Sequence, residues 1–184
     1  MDIFEKRRSI RKCTDQPVDD ATLRELIRAA SLAPSGRHFQ PWNFIVVRSA
    51  EMKEKIAHME HDQAWIAEAP VLIVCVADGK TRLKEEGVVF DETTPYKEQK
   101  LVLRDTTIAA EHIVLKAVEL GLGTCWTGLF TQADARALMG IPSDQHVVGI
   151  LAIGWPHPEY EIKEKESRAV EDMVMAEQWG VRYF

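Results

Sequence analysis

APSGRHFQPWNFIVV, residues 33–47, is the stretch on which the reading of the fold turns. Pro34, Ser35 and Gly36 stop a helix, since proline has no N–H to donate and glycine is costly to fix. Phe39 and Trp42 then place flat side chains around Gln40 and Pro41. Phe44 to Val47 is a short apolar run, the signature of a buried strand. The stretch therefore predicts a helix, a loop carrying bare backbone amides, and a core strand. Taken alone it fits two readings. One is an ordinary connection; the other is a ligand loop, because binding residues concentrate on loops held by rigid elements.

Upstream, Asp19 and Asp20 are good N-caps for a helix reaching about Leu32, and Leu23, Leu26, Ile27 and Ala30 share one face of it. Downstream, Ser49 caps a second helix running to about Met59, and Ala64 to Ala69 make a short helical piece ended by Pro70. Val71 to Ala77 (VLIVCVA) is continuous and β-branched, which predicts a strand covered on both faces. Residues 78–99 are polar and irregular, the mark of either a lid over a substrate site or a disordered segment. Leu101 to Leu120 predicts the longest helix. It is apolar over so much of its girth that it needs cover on more than one side, and a second subunit is a natural source. Its polar residues, Arg104 and Asp105 among them, fall on limited sectors. Gly121 caps it in the left-handed conformation. Thr124 to Thr127 and His146 to Ile153 read as strands, with a short helix, Asp134 to Met139, between them. The tail, 155–184, is charged yet carries Trp179, Tyr183 and Phe184, which points to docking on this subunit or a neighbour.

A chain of 184 residues suits one domain, and its 46% hydrophobic content is ordinary for a globular protein. The formal charge of −6 argues against nucleic acid or an anionic membrane as main partner. The first residues, MDIFEKRRSI, have no apolar signal core, and no run approaches a spanning helix. Cys13, Cys75 and Cys125 form neither a disulfide framework nor a CxxC pair, so a reducing cytoplasm is the expected compartment. His58 and His61 have a spacing that can bind a metal but lack a third ligand, and no metal is expected. The G-x-G at 121–123 follows a helix and opens a strand, the reverse of a dinucleotide fingerprint.

One cluster carries chemistry by itself. Lys6 to Lys12 (KRRSIRK) holds five basic side chains in seven positions. Arg7, Arg8, Ser9 and Arg11 crowd planar guanidinium donors and a hydroxyl onto a few residues, a set suited to phosphate oxygens. The alternatives are a solvated charged face or a polynucleotide patch. The cluster is short and single in an acidic chain, which favours a small phosphate.

Three motifs together resemble the FMN-dependent nitroreductase family: RRSIRK at 7–12, APSGRHFQPWNF at 33–44 and GLGTCWTG at 121–128. With the long helix and the tail they span essentially the whole chain. The resemblance implies an α+β fold with a central mixed, mainly antiparallel sheet flanked by helices. It also implies an intertwined homodimer with FMN at the subunit interface. It places Arg7, Arg8, Ser9 and Arg11 on the FMN phosphate and ribityl chain. It places Pro34, Ser35, Gly36 and His38 near the ring of the partner's flavin, and Trp126, Thr127 and Gly128 along the ring. Arg168 and Lys165, in the tail, match basic residues that reach the phosphate. Where this chain has His38 the family usually has Asn. An imidazole titrates near neutral pH, so His38 either tunes the flavin and supplies a proton or points away. The implied activity is ping-pong reduction: NADH or NADPH gives a hydride to FMN, and a small nitroaromatic or quinone-like acceptor then takes the electrons. No side-chain nucleophile is expected, because the cofactor carries the chemistry. The same fold also serves dehalogenation, enoyl or heterocycle reduction and flavin breakdown. A flavin-binding dimer without turnover is a further alternative.

Overall fold

The computed structural model describes residues 2–82, 89–94, 96–162 and 167–184, with residues 96–98 described in backbone only. In chain order the elements are α1 (Ile3–Lys6), α2 (Asp20–Ser31), β1 (Trp42–Val47), α3 (Ala50–Met59), α4 (Ala64–Glu68), β2 (Val71–Asp78), α5 (Tyr96–Glu119), β3 (Gly123–Thr127), α6 (Gln132–Met139) and β4 (Gln145–Gly154). Local signals set several of these ends. The Asp19 carboxylate accepts from Thr22 N–H to start α2, and the Ser49 hydroxyl accepts from Met52 N–H to start α3. Gly121, at φ +84°, lets the chain leave α5, with Leu122 N–H donating back to the Ala117 carbonyl at 2.8 Å.

The four strands form one sheet in the order β1-β2-β4-β3, and each neighbouring pair is antiparallel. Among the described residues, parallel pairing enters as an isolated bridge between Ser9 and Thr124. Successive residues of β2 point to opposite faces, so its unbroken apolar run needs two covers. Ile73 and Cys75 pack with Leu26 and Ala30 of α2 and Ala109, Ile113 and Ala117 of α5. Leu72 and Val74 pack with Ile56 of α3, Ile66 of α4 and Ala135 of α6. The expected strand buried on both faces is therefore β2, sandwiched between two helical layers. Burial pushes its Cys75 thiol up to about 12.

Two sequence expectations change. The run Phe44 to Val47 is not a core strand: β1 lies at the sheet edge and is only half-buried, with Val46 exposed. Apolar composition marked it as strand but could not tell edge from centre. The long helix begins at Tyr96, not Leu101, so the irregular connection is shorter than 78–99. Part of that connection is anchored: Gly79–Thr81 form a helical turn, and Phe90 is fully buried beside Ala77 and Val102. The His146 ring lies against Phe90, its centroid 5.2 Å away. The remainder, 83–88 and Pro95, falls outside the described residues, and so does that part of the expected lid. Asp105, among the polar residues of α5, is buried.

Candidate functional site

The arginine cluster is placed by the strip that follows α1. Asp2 caps this single turn, and Arg7 then turns extended at φ −61°, ψ 121°. Ile10 N–H donates to the Thr124 carbonyl at 2.9 Å, laying the strip alongside β3. In extended chain alternate side chains face opposite ways. Ile10 points inward over Gly123, where a Cβ would come within 2.6 Å of it, so only glycine admits this approach. Ser9 and Arg11 are left exposed on the outer side. Arg7, Arg8, Ser9 and Arg11, with Tyr160, Glu161 and Ile162, line a cavity of about 470 Å³. Tyr160 donates its hydroxyl to the Ser9 carbonyl at 3.2 Å, and the Arg11 guanidinium lies 5.6 Å from the Trp65 ring centre. The Cys125 thiol lies near this strip. Burial pushes its pKa up, and Arg11, Ser9 and Arg7 only partly offset that. Three guanidiniums and a hydroxyl, against Glu161 as the one acid among the described lining residues, make a donor set that fits a phosphate monoester.

The β3 end lies on the same edge of the sheet. Trp126 packs over Gly149 of β4 and donates its indole N–H to Glu111 Oε2 at 3.3 Å. Thr127 is half-buried and Gly128 is exposed, with nothing within 4 Å of where its Cβ would stand. The next peptide is tied down: Leu129 N–H donates at 2.8 Å to Glu60, a carboxylate with no exposed surface. Backbone N–H groups on this segment are thus presented from a braced strand end.

Pro34 to Gln40 form the third part. Gly36–His38 make a tight helical turn, and Arg37, His38 and Gln40 all have positive φ, at 54°, 57° and 49°. Such conformations cost of order 1–3 kcal/mol each for non-glycine residues and need surrounding support. Asp105 Oδ2 accepts from Gly36 N–H at 2.8 Å, and Arg82 donates to the Gly36 carbonyl at 3.2 Å. Arg104 holds the other Asp105 oxygen through two donors at 3.0 and 2.9 Å. Arg82 also lies over the Phe39 ring, 4.4 Å from its centre. The Ser35 hydroxyl accepts from Gln40 N–H at 3.0 Å. Pro34 and His38 are exposed.

Within one chain, then, residues 7–11 and 126–128 share an edge, but Pro34 to His38 do not join them. The loop leads into β1, at the opposite edge, three strand spacings or about 14 Å across the sheet. Arg168 does not line the arginine cavity; its guanidinium donates to the Asp172 carbonyl within the exposed tail. Lys165 lies outside the described residues. Sequence reading missed Tyr160, Trp65, Glu60, Arg82 and Asp105. Of these, only Asp105 left a trace, as a lone acid between apolar turns of the long helix.

Residues 4–155 match the family model described as "Nitroreductase family". A relative from Archaeoglobus fulgidus, which bears the provisional name NADH dehydrogenase/NAD(P)H nitroreductase, is 32% identical over 177 residues, covering 94% of each chain. The FMN reductase [NAD(P)H] of Bacillus subtilis is 34% identical over 155 residues, 81% of this chain and 62% of its own. The solved structure of an FMN-dependent nitroreductase from Clostridium difficile R20291 superposes with a TM-score of 0.77 at 28% identity, covering 96% of this chain and 98% of that one.

Proposed function

The chain belongs to the nitroreductase family, and from that premise we propose that it is an FMN-dependent NAD(P)H oxidoreductase acting on nitroaromatic or quinone-like acceptors. The observation that carries this is the union of two distant motifs at one sheet edge. The Ile10–Thr124 hydrogen bond sets the arginine strip beside the strand end that presents Trp126, Thr127 and Gly128.

When bound, FMN supplies two-electron chemistry, taking a hydride equivalent from NADH or NADPH and passing electrons to the acceptor. Arg7, Arg8 and Arg11 would hold the phosphate, with Ser9 adding a neutral donor. Trp126, Thr127 and Gly128 would lie along the ring, their N–H groups opposing negative charge as it develops. Braced by Glu60, that segment keeps its donors aligned without reorganising. Pro34, Ser35, Gly36 and His38 would close the other side from a second subunit, keeping water out. The opposite-edge placement supports this, since a two-fold dimer lets one chain's loop complete the other chain's edge. No side chain is assigned a nucleophilic role; Arg168 is a candidate for the phosphate across the same interface.

The experiment is an absorbance spectrum and a size measurement on the purified protein, followed by NADH or NADPH. A yellow dimer that bleaches, and recovers its colour with menadione or a nitrofuran, supports the reading. Recovery with a halogenated phenol alone would reassign the acceptor class. Persistent colour with both nucleotides would make it a flavin-binding protein without turnover.

A further inference from the structure

A second cationic cluster lies at the β1 edge, apart from the arginine strip. A Cβ at Gly36 would stand 2.8 Å from an Arg82 guanidinium nitrogen, 3.6 Å from Asp105 Oδ2 and 3.8 Å from an Arg104 guanidinium nitrogen. Two guanidiniums and one carboxylate thus converge on the bare face of this glycine. The Asp105 oxygens are already engaged by Gly36 N–H and by Arg104. Arg82 is differently placed. It donates to a neutral carbonyl and lies over an aromatic ring, and among the described residues no carboxylate stands within ion-pair distance of it. Arg37 and His38 follow in the same turn. Two guanidiniums, Arg82 and Arg104, therefore stand beside one buried acid, with Arg37 and His38 exposed in the adjoining turn, in a chain whose net charge is −6.

We propose that Arg82, with Arg104 beside it, forms a subsite for an oxyanion on a molecule that enters the reaction site. The oxyanion is a carboxylate or phosphate, carried either by the acceptor or by the donor nucleotide. This rests on the reading of Pro34 to His38 as a wall of that site. A guanidinium that stacks on Phe39 keeps its charge, and beyond the one donor given to the Gly36 carbonyl it has further in-plane donors to offer. Shielding by the aromatic and by a partner surface strengthens the attraction relative to open water. A side chain at Gly36 would push the Arg82 fork aside, since its Cβ would stand 2.8 Å from it.

The test uses the FMN-loaded protein and calorimetric titration with benzoate and benzamide, which match in shape and differ in charge. Benzoate is expected to bind about tenfold or more tightly than benzamide. In Arg82→Gln that ratio should fall about tenfold, and in Arg82→Lys most of it should persist. Loss of loop support alone would weaken both ligands alike and leave the ratio standing, and a ratio that stands both here and in the second arm would overturn the proposal. A second arm compares kcat/KM for NADPH and NADH in the same proteins. A ratio that collapses there while the benzoate ratio holds assigns the oxyanion to the nucleotide. Should Arg82→Gln fail to fold, Arg104→Gln, whose side chain is 50% exposed, gives the same readout with a smaller shift. Ratios near one in both arms, or unchanged in the variants, overturn the subsite while leaving the cofactor reading intact. A protein that takes up no FMN overturns both, and shows it before any ligand is added.

Discussion

Asp105 illustrates what a single buried side chain does here. It satisfies a backbone N–H of a left-handed turn and the guanidinium of its own neighbour. Asp105→Ala leaves both donors short, at a cost of about 1–3 kcal/mol. Asp105→Asn keeps an acceptor for Gly36 and is expected to lose less; paired thermal melts would show the order. Arg11 is a different case. It is itself exposed and is expected to act through ligand, so Arg11→Ala should weaken FMN binding by about one to two powers of ten, the worth of one charge-assisted hydrogen bond. Unchanged affinity in a flavin titration would remove Arg11 from the site. Cys75 gives a pH signature. Its proton stays on until about pH 12 in the folded chain, against an ordinary 9.0. Unfolded chain therefore gains between those values, and this contribution to stability, complete below pH 9, is lost as pH rises. Urea midpoints taken from pH 8 to 10.5 should fall less steeply in Cys75→Ala. Of these three residues, the burial of Cys75 was legible in its unbroken apolar run, and Arg11 stood out as one of a cluster of like charges. The link from Asp105 to Gly36 was not, because it spans 69 positions and exists only once the chain has folded.

At the scale of elements, bounds were legible wherever a cap writes them locally. Asp19, Ser49 and Gly121 mark their helix ends through groups two to four residues away. The start of α5 was missed because Pro95 and the polar residues after it look like loop, although proline is well tolerated at the head of a helix. Edge and centre were not separable in β1 and β2, since sheet order is a long-range property. The anchor at Phe90 was also invisible, because it depends on His146 from β4. Burial pushes that imidazole below its ordinary 6.5, outweighing the Phe90 carbonyl and the Glu92 carboxylate that favour the charged form. The folded state holds His146 neutral while unfolded chain takes the proton more readily. Its contribution is present above about pH 6.5 and lost as pH falls toward the lowered value. Limited proteolysis of the connection between β2 and α5 is expected to quicken from pH 7 to pH 5, and less so in His146→Gln.

For the whole molecule, the described tail carries Val170, Met173, Trp179, Tyr183 and Phe184 at the surface, with Trp179 91% exposed. We propose that this tail docks on a second subunit. We expect light scattering to give about twice 20.9 kDa, and truncation after Ala169 to shift the population toward monomer. The placement of the arginine strip and the glycine turn at opposite margins of one sheet has a genetic corollary. At FMN concentrations too low to load an Arg11→Ala chain, that chain and one impaired by Gly36→Val would each show little activity alone, but co-expressed they would complement one another. Every hybrid pair would then contain one centre assembled wholly from unaltered parts, and random pairing would restore roughly a quarter of the normal turnover.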